Sequence, residues 1–338
     1  MLLNGTGILA RFARGFMLAG AVAVLSGSPS TAQGLSWEFA NEYTTKEHGD
    51  VAKIFIDEVQ RLVPGELTIT YQSGGVLGFK SPDNIDAVED GSVEMAWTLL
   101  PQAINVDPFF ALTSLPFIVS NDDEAYDLYQ KTKPFYQDIF SEHGQTLLFT
   151  IPSPPAGIFS RQPINSAADF SGLKIRTYDR NSTRTLANAN AVPFQISVGD
   201  LIPQISTGAV DAVITAPRLG VDLSLWEYLP NFSAVNYSMA LYGVHISNAA
   251  LEKLSPEGRE AIASAAALAE KYAWDLMAGS SNSAFASLRE KGSTIVETPD
   301  EGIVQHLRNA SKTIVEDWLS GNSEETQAEM RTILGLEK

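Results

Sequence analysis

The sequence predicts an α/β fold of two facing lobes, and three observations carry that expectation. Strand-like and helix-like hydrophobic periods alternate from Leu35 onward, and one helix–glycine–strand segment recurs in each half. About 306 residues remain once a leader is set aside, more than one compact core usually holds.

The leader comes first in the chain. Arg11 and Arg14 precede an apolar run, Phe16 to Leu25, that ends in small residues at "SPSTA", so residues 1–32 read as a secretory signal peptide. The run is about ten residues, half of the ~20 a membrane-spanning helix needs. The expected product is an exported periplasmic protein. Its formal charge moves from −17 to −19 when the leader leaves, because two arginines and no acids go with it. A nucleic-acid backbone would be repelled by such a surface. The absence of cysteine excludes disulfides and thiol chemistry.

Next comes "LSWEFAN", which places Leu35, Trp37 and Phe39 on one strand face. Val51, Ile54, Phe55, Val59 and Leu62 then recur at helical spacing, and "LTITY" returns to strand composition. Ser81 reads as a helix N-cap with Pro82 at the first position and Gly91 beyond the end, before the apolar strand "VEMAWTLL". "IDAVEDGSVEMAW" from Ile85 and "IPQISTGAVDAVI" from Ile202 share a helix, a glycine (Gly91, Gly208), Val-Asp or Val-Glu, and a buried strand. One copy per half fits two similar lobes, although any helix-to-strand connection in an α/β protein carries part of this pattern. Pro152, Pro154, Pro155 and Pro163 interrupt regular structure where the lobes should meet. Ser255 and Pro256 open an alanine-rich helix expected to run long, with a bend at Gly279, and a further helix is expected from Glu301 to Leu319.

Catalytic constellations are missing from the pattern. "SGGVLGFKS" (73–81) nearly spells a phosphate-binding loop, but Phe79 occupies the second obligatory glycine and would keep the backbone off a phosphate. His48, His143, His245 and His306 show no metal spacing, and no nucleophile elbow occurs. No metal or cofactor is expected, and a binding protein is favoured over an enzyme.

In "GLKIRT", Leu173, Ile175 and Thr177 alternate with Lys174 and Arg176, so one strand face projects two cations. Open α/β sheets bind ligands at the carboxyl ends of their strands, where Arg176 lies. A guanidinium fork matches a carboxylate bidentately. An ion pair with Asp169 or Asp179 is the competing explanation.

"RQPINSAADFSGLKIRT" followed by "VGDLIPQISTGAVDA" resembles the substrate-binding proteins of tripartite ATP-independent periplasmic (TRAP) transporters, the DctP-type family. The likeness extends through "VEDGSVEMAW", "DPFFALTSLPFIVSN" and "HISNAALEKLSPEGREAI", nearly the whole mature chain. The resemblance implies a type II-like two-lobed periplasmic binding protein with hinge strands and a long helix spanning both lobes. Residues 33–152 with 242–280 would form lobe I and the helix, and residues 153–241 with 281–338 lobe II. It implies that Arg176 holds the carboxylate of a small organic acid, and that the loaded protein, expected to be monomeric, delivers it to membrane subunits of a permease. Thr215 stands where many members have a ligand-contacting asparagine, and upstream of Pro163, where dicarboxylate binders often have a second basic residue, the chain reads "PSPPAGIF". One carboxylate with an apolar or aromatic body is therefore expected, with Phe79, Trp97, Tyr178, Val198 and Trp226 as further candidate contacts. An ABC-type binding protein and an exported enzyme on the same cleft are the alternatives.

Overall fold

The computed structural model describes residues 34–336; the expected leader, residues 1–32, lies outside the described residues. With strands numbered in chain order, the first sheet contains β1 (Leu35–Asn41), β2 (Leu67–Gln72), β3 (Met95–Leu99), β4 (Gln145–Pro152) and β10 (Leu241–Ser247), arranged β2-β1-β3-β10-β4. The second contains β5 (Gly157–Ser160), β6 (Lys174–Thr177), β7 (Val192–Gln195), β8 (Ala212–Thr215), β9 (Asn231–Ser233) and β11 (Thr294–Val296), arranged β11-β9-β5-β8-β6-β7.

The two sheets share one plan. β1 runs parallel to β2 and β3, as β6 does to β7 and β8. β10 runs antiparallel to β3 and β4, as β5 does to β8 and β9. The recurring segment is the matching part of each sheet: helix α2 (Asn84–Glu89) leads to β3 and helix α5 (Leu201–Ser206) to β8. Gly91 and Gly208 end those helices at φ of 78° and 73°, the left-handed region that favours glycine. Register then aligns the lobes. Phe39 faces Met95 and Ile175 faces Ala212, each partner four residues beyond its glycine, so Ala40 holds in the first lobe the place that Arg176 holds in the second.

Helix α1 (Lys46–Leu62) follows β1 and α4 (Arg180–Asn188) follows β6. Thr45 caps α1 by accepting from the amide of His48, and the helix buries Val51, Ala52, Phe55 and Val59 against the first sheet's Trp37 and Phe39. Helix α3 (Asp122–Glu142) packs on β4 and helix α6 (Pro217–Asp222) follows β8. Segments 153–156 and 234–240 cross between the lobes side by side, joined where Ser153 donates to Ala240 O and Tyr237 to Ala156 O, both at 2.9 Å. These are the hinge segments, irregular chain where the sequence resemblance implied strands.

Three details differ from expectation. Ser81 is no helix cap: its hydroxyl donates to Glu42 Oε1 at 2.5 Å and accepts from the amide of Leu99, so the helix starts at Asn84. After the short α7 (Asn248–Leu251), the long helix is two, α8 (Pro256–Met277) and α9 (Ser280–Glu290), parted by Gly279 at φ 78°. α8 packs on α1 and β4 and α9 on α6, so the pair still runs from one lobe to the other. The stretch from Glu301 divides into α10 (Glu301–Ala310) and α11 (Ile314–Ser320), followed by α12 (Glu324–Ile333). α10 joins the second-lobe core through Ile303 and Leu307. α11 and α12, placed by the sequence with lobe II, return to the first, where Trp318 packs on Phe109 and donates to Pro108 O at 2.8 Å.

Candidate functional site

Arg176 is 1% exposed on β6, between buried Ile175 and Thr177. Its Nε donates to Ile196 O at 2.8 Å, which fixes the guanidinium plane, and its Nη1 is buried without a hydrogen-bond partner. It forms no ion pair among the described residues. The acids that could have neutralised it are occupied as caps. Asp169 accepts from the amides of Asn165 and Ser166 at 2.9 and 2.8 Å, and Asp179 from the amide of Ser182 at 2.9 Å. Burial lowers the pKa of Arg176, opposed by Tyr43, Tyr242 and Glu42. A guanidinium remains protonated all the same.

Around this cation the lobes leave a cleft. Arg176, Tyr178, Thr215 and Leu219 of the second lobe face Tyr43 and Tyr242 of the first across a cavity. A second cavity adjoins it, for Ser153, Pro154, Thr215, Ala216, Leu219 and Tyr242 line both. Glu47 and His48 from the first turn of α1, Arg218 from α6, and Leu276, Met277 and Ser280 from the α8–α9 junction complete its wall. His48 packs tilted against Trp97, ring centroids 4.2 Å apart, and burial lowers its pKa to about 3, so it enters the cleft as a neutral ring. Arg218 is committed at 2.8 Å to both Glu47 and Asp222. Arg176 is therefore the cleft's uncommitted cation.

Of the sequence candidates, Arg176, Tyr178 and Thr215 come together in the cleft. Tyr178 is positioned by its hydroxyl, 2.6 Å from Ser238 Oγ, and by its carbonyl, which accepts from Gln102 at 2.8 Å. The others lie elsewhere. Trp97 is fully buried in the first-lobe core, sharing its cluster with Phe39 and Phe149, because every residue of β3 is buried on both faces. Phe79 packs against Ala40, Ala87, Val88, Val93 and Ala96, and Val198 belongs to the second-lobe core. Trp226 packs among Phe159, Phe232 and Phe285 with Lys291 5.6 Å above its ring. Sequence reasoning missed Tyr43, Tyr242, Glu47, His48 and Arg218. The strand-end rule that located Arg176 at the end of β6 applies equally at the end of β1, and would have found Tyr43, Glu47 and His48.

The lobes also meet at the rim. Lys80, beside Phe79, pairs with Asp200 at 3.0 Å and donates to Ser197 at 3.1 Å. Exposed pairs contribute ~0–1 kcal/mol and are screened by salt. Lys80→Ala should weaken ligand affinity by no more than about fivefold, and the deficit should shrink on raising ionic strength; calorimetric titration at two salt concentrations checks this.

Residues 39–321 match the family model of bacterial extracellular solute-binding proteins, family 7, known as DctP. The chain belongs to this family. Among solved structures it is similar to the DctP family's DctP7 of Bordetella pertussis, an extracytoplasmic solute receptor binding pyroglutamic acid. The TM-score is 0.84 at 27% identity, covering 89% of this chain and 99% of that one. The 2,3-diketo-L-gulonate-binding periplasmic protein YiaO of Escherichia coli is 23% identical over 296 residues, 82% of this chain and 85% of YiaO. The ectoine-binding periplasmic protein TeaA of Halomonas elongata is 21% identical over 315 residues, 90% and 91% of the two chains. The chain is thus a TRAP substrate-binding protein of DctP type, and the DctP family comprises solute receptors that work beside membrane subunits.

Proposed function

We propose that this DctP-family protein is a periplasmic receptor that holds the carboxylate of a small monocarboxylic acid on Arg176 and delivers it to a TRAP permease. One observation carries the reading: a buried guanidinium with no ion pair and an unpartnered Nη1, at the wall of a cleft between two lobes. A buried donor without a partner is costly, and a carboxylate is its geometric complement. The rest of the cleft favours a compact body with apolar or aromatic contacts, since Tyr43, Tyr178, Tyr242, Pro154 and Leu219 surround the cation. A second carboxylate would find the only other arginine of the wall already shared between Glu47 and Asp222. Pyroglutamic acid, the ligand of DctP7, has this chemistry.

Native mass spectrometry of freshly purified protein, followed by thermal melts with a panel of organic acids, tests the reading. A small monocarboxylic acid should co-purify, and about 100 Kd of it should stabilise the fold by ~2.7 kcal/mol. Stabilisation by sugar acids or dicarboxylic acids alone would reject it.

A further inference from the structure

Seven buried side-chain polar atoms among the described residues have no hydrogen-bond partner. Five belong to uncharged groups, of Asn84, Trp97, Tyr136, Ser233 and Ser293. The other two are Arg176 Nη1 and Glu47 Oε2, and these residues line the two adjoining cavities between the lobes, Arg176 one and Glu47 the other. One is a donor and the other an acceptor. Buried groups of this kind are normally satisfied, and those that are not call for an explanation.

We propose that Glu47 is the cleft's second recognition point and selects acids that also carry an N–H donor: cyclic amino or imino acids and lactams. The inference rests on the assignment of the carboxylate to Arg176. Glu47 stands on the first turn of α1, held there by the Thr45 cap, and its Oε1 is 2.8 Å from Arg218 Nε. Arg218 in turn holds Asp222 at 2.8 Å. This clamp orients the carboxylate and leaves Oε2 as the free acceptor. The trio of one cation and two acids retains a formal charge of one minus, so a polarised N–H or an ammonium completes it, whereas a second carboxylate is repelled. Burial raises the pKa of Glu47, opposed by a hydrogen bond from its own backbone amide and by the charge of Arg218. His48, neutral in the same wall, adds no competing charge.

The test uses matched ring acids that differ only at one ring atom. Pyroglutamate is compared with its lactone analogue, and proline with tetrahydrofuran-2-carboxylate, by calorimetric titration of the mature protein. In at least one pair the N–H member should bind at least ~10-fold tighter than its ring-oxygen counterpart, the size of one charge-assisted hydrogen bond. In Glu47→Leu that ratio should fall to within about twofold, and in Glu47→Gln, which keeps the shape of the wall, by at least about threefold. Equal affinities within both pairs, no binding by any of the four, or an unchanged ratio in both variants overturns the inference. Arg176→Ala separates the two levels. Loss of binding there alongside equal affinities within the pairs leaves the carboxylate reading standing, whereas unchanged binding there overturns both.

Discussion

Replacing Arg176 with methionine should reduce ligand affinity by at least ~100-fold while leaving the ligand-free protein as stable as before, or slightly more so. The two halves of this result have separate causes. A ligand carboxylate on a buried guanidinium makes charge-assisted bonds of about 1.5–3 kcal/mol each, and two such bonds lost correspond to two or more decades in Kd. In the empty protein the same cation forms no ion pair, so an apolar side chain of similar length removes a desolvation cost and forfeits the bond to Ile196 O. Arg176→Lys should retain the charge and still lose at least ~10-fold, because an ammonium has no planar fork and cannot reach Ile196 O and a carboxylate together. Titration calorimetry for affinity, with thermal melts of the unliganded variants, separates the terms. A methionine variant that binds as the parent does would remove Arg176 from the site. One that fails to fold would show the guanidinium to be structural.

How far the sequence reveals this cleft follows from which physical signals are local. The alternation of periods and the paired glycines are local, so the α/β class, the lobes and the strand carrying Arg176 can all be read from the chain. The equivalence of Ala40 and Arg176 needs the register of both sheets, which no local pattern supplies. Trp97 illustrates the limit. A strand buried on both faces has no polar alternation to say which side chain faces a ligand, so position at a strand end did not distinguish core from cleft. Tyr242 reaches the site from β10, about 200 residues after Tyr43, and the two rings meet edge to face at 5.2 Å only because β10 inserts beside β3. The Glu47–Arg218 pair joins residues 171 positions apart, and charge patterning along one helix cannot detect it. Gly279 was visible as a helix breaker, but its break placing Leu276, Met277 and Ser280 on the cavity wall was not.

Acid should destabilise this protein before its carboxylates titrate, and the reason lies in two histidines that no local pattern ranks above the others. His245 is fully buried on β10, stacked on Phe140 at 4.7 Å, with Nδ1 2.6 Å from Gln145 Oε1 and Nε2 2.7 Å from Thr98 Oγ1. The amide oxygen can only accept, so Nδ1 carries the proton and Nε2 accepts from the threonine hydroxyl. Burial lowers the pKa of His245 to about 3, as it does that of His48. Both values lie below the ~6.5 of an unfolded histidine, so the unfolded chain binds the extra protons. The stability they contribute is fully present above pH 6.5 and is lost as pH falls through the window down to 3. Between pH 6 and 5 two such groups give a slope of up to ~2.7 kcal/mol per pH unit. Urea denaturation at half-unit steps from pH 7.5 to 4.5 should trace this fall. His245→Gln, less stable than the parent at pH 7, should lose about half of the slope, since one of the two titrating rings is gone. Stability that stayed level from pH 7 to 5 would mean that the rings find water or a carboxylate once protonated, and the dry packing of His245 between Phe140, Thr98 and Gln145 would then have to open without unfolding the sheet.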